Sequence, residues 1–164
     1  MKTITLKLSL LILTILLFSA CSPEDDGIYF EPLAESKITY TLIETEILLL
    51  VNDYRIDNGL SELKKLNIVS TVAETHTNYM VEVGKVNHDN FPERHKNLVE
   101  NANAKSVGEN VAYGYSSAES VVNAWLNSDH HREIIEDPEY THFGISTETD
   151  ANGRNYFTHI FINK

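Results

Sequence analysis

The sequence predicts an α+β sandwich in which helices come first and a β-hairpin closes the chain. Two observations carry this prediction. Apolar residues recur at helical spacing from Ile43 to beyond Ser128. From His142 onward, β-branched and aromatic residues dominate two short runs that a turn sequence separates. The length suits a single domain after a short N-terminal region, and no internal repeat is visible.

The first helix is predicted from Ile43 to a stop at Asn58-Gly59. Its apolar positions Ile47 and Val51 lie on one face, and Leu48 to Leu50 make the helix apolar on most sides. We therefore expect this helix to be buried. Asn and Gly suit a helix end because both tolerate the left-handed backbone conformation.

Two further helices follow. The second is predicted to open near Asn67 and to end near Gly84, with a stripe that includes Val72, His76 and Met80. A shorter one runs from Pro92 to about Ala102, because proline is suited to the first turn of a helix.

The next helix has a start signal of its own. Ser116 to Glu119 has the Ser-x-x-Glu form of a capping box, and Val121, Val122 and Trp125 follow on one face. A break near Ser128 predicts one more short helix.

The C-terminal hairpin is predicted from His142 to Thr147 and from Asn155 to Ile162. Residues 150–153, Asp-Ala-Asn-Gly, supply the turn chemistry between the two strands.

The N-terminus has the features of a bacterial lipoprotein signal. Lys2 and Lys7 precede an uncharged, mainly apolar run over residues 8–18, which is typical of a secretory signal and shorter than the roughly 20 residues that span a bilayer. Ser19 and Ala20 before Cys21 resemble a lipobox, so we expect residues 1–20 to be removed and Cys21 to be lipidated. The alternative is a short anchor with an incidental cysteine.

Residues 21–38 are predicted to be a flexible acidic tether, and residues 39–164 the folded domain. The segment 22–27 is acidic and poor in apolar side chains, so it has little to bury. Acids directly after a lipidated cysteine also resemble the signal by which one group of Gram-negative bacteria exports lipoproteins. The expected location is extracytoplasmic, at the outer membrane, and these acids indicate the cell surface.

The net charge and the number of cysteines exclude several kinds of binding partner and chemistry. Without residues 1–20, which hold two lysines and no acids, 11 basic residues face 24 acidic ones, a net charge of about −13. Such a surface repels nucleic acid and anionic lipid headgroups, which argues against a DNA-binding role. Cys21 is the only cysteine, so an internal disulfide is excluded. Lipidation would cap its sulfur, so we expect no cysteine nucleophile either.

Histidines are the natural candidates for chemistry, since neutral imidazole binds metals and titrates near physiological pH. His88 stands out because it lies in a polar loop after a helix end. His130 and His131 are adjacent and point about 100° apart on a helix, so only one of them should face a given cavity. His76 is expected to be a packed, hydrogen-bonded core residue. Structural roles are expected for His95, His142 and His159.

A series of residues and short motifs runs in order along most of the domain: Glu46, Leu50-Val51-Asn52, Arg55, Gly59-Leu60, Leu63, Ala73, His76, Met80, Gly84, His88, Gly108-Glu109-Asn110-Val111-Ala112, Gly114, Val121, Trp125, Ser128, His131-Arg132, Ile135, Phe143-Gly144-Ile145 and Tyr156 to Phe161. No single motif is decisive. Their order and spacing together resemble the CAP superfamily of cysteine-rich secretory, antigen 5 and pathogenesis-related proteins, in the compact bacterial SCP-like form.

The resemblance implies an α-β-α sandwich with a small central sheet, and a cleft where two histidines and acids bind a divalent ion such as zinc. Carried over by position, the metal ligands would be His88, Glu109 and His131, with Glu109 also the candidate general base of a hydrolase. Two imidazoles and a carboxylate leave a fourth position for water, as in catalytic zinc sites. Glu109 has an alternative role, which is to hold its loop by accepting backbone N–H groups.

This chain departs from the family pattern near the second histidine. Ser128 stands where many members have a second glutamate, and Asp129-His130 stands where compact bacterial members have Pro-Gly. The cleft rim is therefore expected to include Ser128, Asp129 and His130.

Two functions remain open at this point. The first is a lipid-anchored binding module that presents its cleft to an extracellular lipid, glycan or peptide. The second is a zinc-dependent hydrolase that uses the His/Glu/His set. A third, structural envelope role has no sequence feature of its own. The first is preferred, because no nucleophile is recognisable and because a fold determines a reaction poorly.

Overall fold

The computed structural model describes residues 38–164. The predicted signal peptide, the lipidation site Cys21 and nearly all of the tether lie outside the described residues, and the proposed domain boundaries stay predictions. The elements are α1 (Leu42–Asp57), β1 (Lys64–Lys65), α2 (Asn67–Val83), α3 (Phe91–Ala102), β2 (Ser106–Tyr113), α4 (Ala118–Leu126), α5 (Asp129–Glu136), β3 (His142–Thr149) and β4 (Asn155–Asn163).

A four-stranded sheet in the order β1-β3-β4-β2 forms the middle layer. The predicted hairpin is confirmed, with β3 antiparallel to β4 in a register that pairs Ile145 with His159. Strand β2 pairs antiparallel with the other side of β4, and the two-residue β1 runs parallel to β3. Strands β1 and β2 therefore lie at opposite edges of the sheet.

Helices cover both faces of the sheet, so the predicted α-β-α sandwich is confirmed. On one face, α2 and α3 pack through Val69 and Leu98 on Ile160 and Ile162 of β4. On the other face, α1, α4 and α5 pack on alternate residues of β3 and β4; this core includes Ile47, Val51, Val121, Trp125, Ile135, Phe143, Phe157 and Phe161. Alternation of side chains along β4 explains how one strand serves both layers.

The predicted helix positions are confirmed to within a residue or two, but the first helix is less buried than expected. Ile47 and Val51 are fully buried, whereas Leu49 is 59% exposed and Ile56 is 53% exposed. Only one stripe of α1 faces the sheet, because the helix lies on the outside of a layered domain. The expectation of burial on most sides was therefore wrong.

The capping box of α4 lies one residue later than predicted. Ser117 is the N-cap: its hydroxyl accepts from the Ser120 backbone N–H, and the Ser120 hydroxyl accepts from the Ser117 backbone N–H. Serine at the third helical position replaces the glutamate of the usual pair, which is why the motif was assigned to Ser116 and Glu119.

In residues 38–164, no helix has both the length and the apolar character that crossing a membrane requires.

Candidate functional site

The candidate site is built on β2, an edge strand of the sheet. Neighbouring residues of a strand point to opposite faces, so Glu109 faces the α2 and α3 layer while Asn110 faces α5. The sequence analysis placed Glu109 in a loop, and this was wrong. A site assembled on an edge strand can draw side chains from both helical layers at once.

Glu109 is buried and fully engaged by side chains. Arg94 of α3 donates from Nε to Oε2 and from Nη2 to Oε1, both at 2.7 Å, which is the fork-to-fork geometry of a strong ion pair. His88 Nδ1 lies 2.8 Å from Oε1. Burial by itself would raise the pKa of Glu109, but hydrogen bonds from His88 and Arg94 outweigh it and lower that pKa. The predicted alternative of bonding to backbone N–H groups is not what holds this carboxylate.

His76 is confirmed as a buried, hydrogen-bonded core histidine. Its Nε2 lies 2.9 Å from the Asn87 carbonyl, which accepts the bond when Nε2 carries the proton. Burial, followed by the positive charge of Arg94, lowers its pKa and favours the neutral ring. The same Nε2 is 3.9 Å from Glu109 Oε1, so His76 also lies against the site and steadies the loop that carries His88.

On the other side of β2, Asn110 holds the start of α5. Its Nδ2 donates to the His131 carbonyl at 3.0 Å, while its buried Oδ1 has no partner among the described residues. The His131 ring is partly buried, and its Nδ1 lies 2.7 Å from Ser128 Oγ. Burial, then the charges of His130 and His88, lower the pKa of His131.

The three predicted rim residues behave differently from one another. Ser128 is the N-cap of α5 and contacts the His131 ring directly. Asp129 is exposed and pairs with Arg132 at 2.7 Å. His130 is exposed, with its ring centroid 6.0 Å from that of His131. Of the adjacent pair, His131 is the residue whose ring is partly buried and hydrogen-bonded to Ser128.

The Ser128 to His131 contact has the form of a nucleophile beside its base. In the described part of the chain, no carboxylate hydrogen-bonds to the other ring nitrogen of His131. We therefore interpret this hydrogen bond as one that orients the His131 ring.

The hydrogen bonds of His88 and Glu109 bear on the predicted metal site. Across residues 38–164, no three His, Cys, Asp or Glu side chains form a group that could hold a metal ion. Glu109 is hydrogen-bonded to His88 Nδ1, which leaves Nε2 as the free nitrogen of that ring. A carboxylate in this position typically orients a ligating histidine instead of binding the ion itself. Zinc binding by His88, Glu109 and His131 stays a prediction.

Arg94 is the site residue that the sequence analysis missed. It lies four residues before Leu98 and eight before Ala102, so all three share one buried stripe of α3. A cationic side chain on such a buried stripe predicts an anionic partner, because arginine is rarely buried without one. The position of Arg94 therefore indicates a buried carboxylate elsewhere in the chain.

The other histidines do not join the site. His142 Nδ1 lies 2.9 Å from the Thr141 hydroxyl, and the His95 ring packs edge-on against Phe91. His159 is fully buried between aromatic rings, and neither of its ring nitrogens has a partner among the described residues. Burial lowers the pKa of His159 to about 3.

The domain is a three-layer α-β-α sandwich with a polar site on an edge strand of its sheet. The family model of the cysteine-rich secretory protein family, CAP, matches residues 48–161. The chain therefore belongs to the CAP family.

Two proteins of Bacillus subtilis are similar to this chain in sequence. An uncharacterised membrane protein of Bacillus subtilis, YlbC, is 31% identical over 133 residues, covering 76% of this chain and 35% of that protein. A second B. subtilis protein, YkwD, is 49% identical over 41 residues, or 25% of this chain and 16% of that protein. The chain thus spans about a third or less of the length of these curated relatives.

Solved structures share the fold. An outer surface protein of Borrelia burgdorferi superposes with a TM-score of 0.69 at 20% identity, covering 79% of this chain and 98% of that one. An extracellular protein of Bacillus anthracis that contains an SCP domain gives 0.65 at 25% identity, covering 74% of this chain and 40% of that one.

Proposed function

We propose that this chain is a lipid-anchored, extracytoplasmic binding module whose CAP domain holds an extracellular ligand at His88 and His131. The ligand classes considered are a lipid, a glycan or a peptide. The anchor would be Cys21, acylated at the membrane, and the location the outer membrane with exposure at the cell surface. Support for the location comes from the N-terminal sequence and from relatives described as outer surface and extracellular proteins.

One observation carries the choice of binding over catalysis. Glu109, the candidate general base, is buried and accepts hydrogen bonds from Nε and Nη2 of Arg94. A carboxylate in this state is a weak base, since the ion pair favours its ionised form and blocks its oxygens. Glu109 is thus better suited to position the His88 ring than to take a proton from water.

The two histidines form the ligand-facing part of the site. Each uses Nδ1 for an internal hydrogen bond, His88 to Glu109 and His131 to Ser128. Each ring therefore keeps Nε2 for a ligand. The His88 side chain is 48% exposed, so this nitrogen is accessible without rearrangement. A polar ligand group can accept from or donate to these nitrogens. His88 and His131 would be the residues that hold a divalent ion such as zinc, and the charge of that ion would attract an anionic group.

The binding function is tested with the full chain purified in detergent. We expect saturable binding of at least one member of broad lipid, glycan and peptide panels, and its loss in His88→Ala and His131→Ala. His95→Ala is the matched control, since it removes a histidine outside the site. No saturable binding in any panel, or equal binding by all four proteins, would contradict the proposal.

The zinc-dependent hydrolase remains the second candidate, and the paired imidazoles are the observation in its favour. His88 and His131 would hold the ion, and zinc would supply an activated water. Ester and peptide hydrolysis that appears with ZnCl₂, disappears with a chelator and is lost in His131→Ala would replace the binding proposal with this one.

The anchor has its own test. Metabolic labelling with a palmitate analogue should mark the wild-type chain and leave Cys21→Ser unlabelled. Labelling of both proteins, or of neither, would contradict the proposal that Cys21 is the lipidated residue.

A further inference from the structure

A cavity lies at the edge of the sheet opposite to β2. Strand β1 pairs with β3 only at His142 and Phe143, so within residues 38–164 β3 has no strand neighbour on that side from Ile145 onward. A cavity of about 400 Å³ opens there, between Ile38 and Thr39, the first turn of α1 and the first half of α2. Its volume is in the range of small-ligand pockets.

Side chains already protect the backbone of this open edge. Ser70 Oγ accepts from the Ile145 N–H at 3.1 Å, and Glu44 Oε1 accepts from the Thr147 N–H at 2.7 Å. The other oxygen of Glu44 accepts from the Thr41 N–H at 2.8 Å. An incoming strand therefore finds these two N–H groups taken, which argues against strand addition as the use of this edge.

Three acceptors in the cavity are left without partners. In the described part of the chain, the carboxylates of Glu74 and Glu148 make no hydrogen bond or ion pair. Ser146 also lines the cavity and is 4% exposed, yet its hydroxyl makes no hydrogen bond within residues 38–164. Because the Ser146 side chain is almost wholly buried and lines the cavity, its hydroxyl is free to bond a group that is held there.

We propose that this cavity binds a primary ammonium group, such as the side chain of a lysine in a peptide, through Glu74, Glu148 and the Ser146 hydroxyl. An ammonium group carries three N–H donors and no acceptor, which matches two carboxylates and one hydroxyl. A metal ion fits less well, because no three acidic or histidine side chains among residues 38–164 are grouped to hold one.

The electrostatics of the cavity agree with this assignment. Burial, then the negative charges of Glu74 and Glu44, raise the pKa of Glu148. A bound cation would remove this repulsion between like charges. The cavity is also separate from the His88 site, since β3 and β2 lie on different sides of β4.

The test is an NMR titration of the full chain in detergent at 150 mM NaCl. A capped Gly-Lys-Gly peptide should shift the amides of Ser146 and Glu148 saturably, and the same peptide acetylated on the lysine should not. Spermidine in a separate arm distinguishes the source of the ammonium group. Tighter peptide binding supports a peptide ligand, and tighter spermidine binding overturns that part of the proposal.

Paired variants separate a built site from general attraction to an acidic protein. Glu74→Gln/Glu148→Gln should weaken peptide binding about tenfold or more, as the loss of charge-assisted hydrogen bonds predicts. Glu133→Gln/Glu139→Gln removes the same charge at exposed positions and should leave binding unchanged. Equal weakening in both pairs, binding of the acetylated peptide, or displacement of the peptide by equimolar CaCl₂ would overturn the proposal.

Discussion

Glu109 and Asn110 are neighbours on β2, yet they hold opposite sides of the candidate site. The Glu109 carboxylate fixes the His88 ring from the α2 and α3 layer, and the Asn110 amide fixes the His131 backbone from the α5 layer. The alternation of a single strand thus places two histidines, 43 positions apart in sequence, at one edge of the sheet. Substitution of Glu109 should therefore affect mainly His88, and substitution of Asn110 mainly His131.

Glu109→Gln should be strongly destabilising. It removes the charge that Arg94 is buried against, and a buried pair broken on one side typically costs about 3–5 kcal/mol in the free energy of unfolding. Urea denaturation monitored by the fluorescence of Trp125 would measure the loss. Glu93→Gln is the control, because it removes the same charge at an exposed position of the same helix and should change stability by less than about 0.5 kcal/mol. Similar effects for the two variants would show that the ion pair contributes little.

Asn110→Ala should disturb the His131 side of the site alone. The His131 carbonyl would lose its donor, at a cost of about 1–3 kcal/mol in stability. In NMR spectra we expect the ring signals of His131 to move and those of His88 to stay. Movement of both rings to the same extent would contradict the view that β2 supports the two histidines separately.

The domain should lose stability in mild acid because of His159. In the folded state its pKa lies at about 3, against an ordinary value of 6.5 in the unfolded chain. Below pH 6.5 the unfolded chain therefore binds a proton that the folded one does not. Stability falls by about 1.4 kcal/mol per pH unit, or about 2 kcal/mol at pH 5.

His159→Phe isolates this contribution. Phe fits the surrounding aromatic cluster of Trp125, Phe143 and Phe161, and it cannot titrate. Glu109, whose pKa is lowered in the fold, contributes its own loss of stability as the pH falls toward that pKa, in both proteins alike. Urea denaturation at pH 7 and pH 5 should give a difference about 2 kcal/mol smaller for the variant. Identical differences would mean that the His159 ring is not a buried neutral group.

The fold was largely predictable because its helices carry local signals. Gly84 at the end of α2 and Pro92 at the start of α3 are set by backbone preferences that act within a few residues. Strand β2 was harder to predict. Its buried run contains Gly108 and a charged residue, Glu109, and neither is typical of a core strand.

The site was only partly predictable, because its contacts join residues that are distant in the sequence. His88 and His131 could be chosen by their place in the family pattern, but the partner of Glu109 could not. Arg94 lies 15 residues earlier on another element, and only the packing of α3 on β2 brings the two side chains together. The unpartnered acceptors at the β3 edge depend likewise on tertiary contacts.

The central claim is that Glu109 positions the His88 ring so that its Nε2 is left for a ligand. A long-range ¹H–¹⁵N NMR spectrum at pH 8, before and after addition of ZnCl₂, tests this most directly. We expect His88 to carry its proton on Nδ1, and the Nε2 signals of His88 and His131 to shift together on titration. A His88 ring protonated on Nε2 would contradict this claim. So would Nε2 signals of His88 and His131 that do not shift when ZnCl₂ is added.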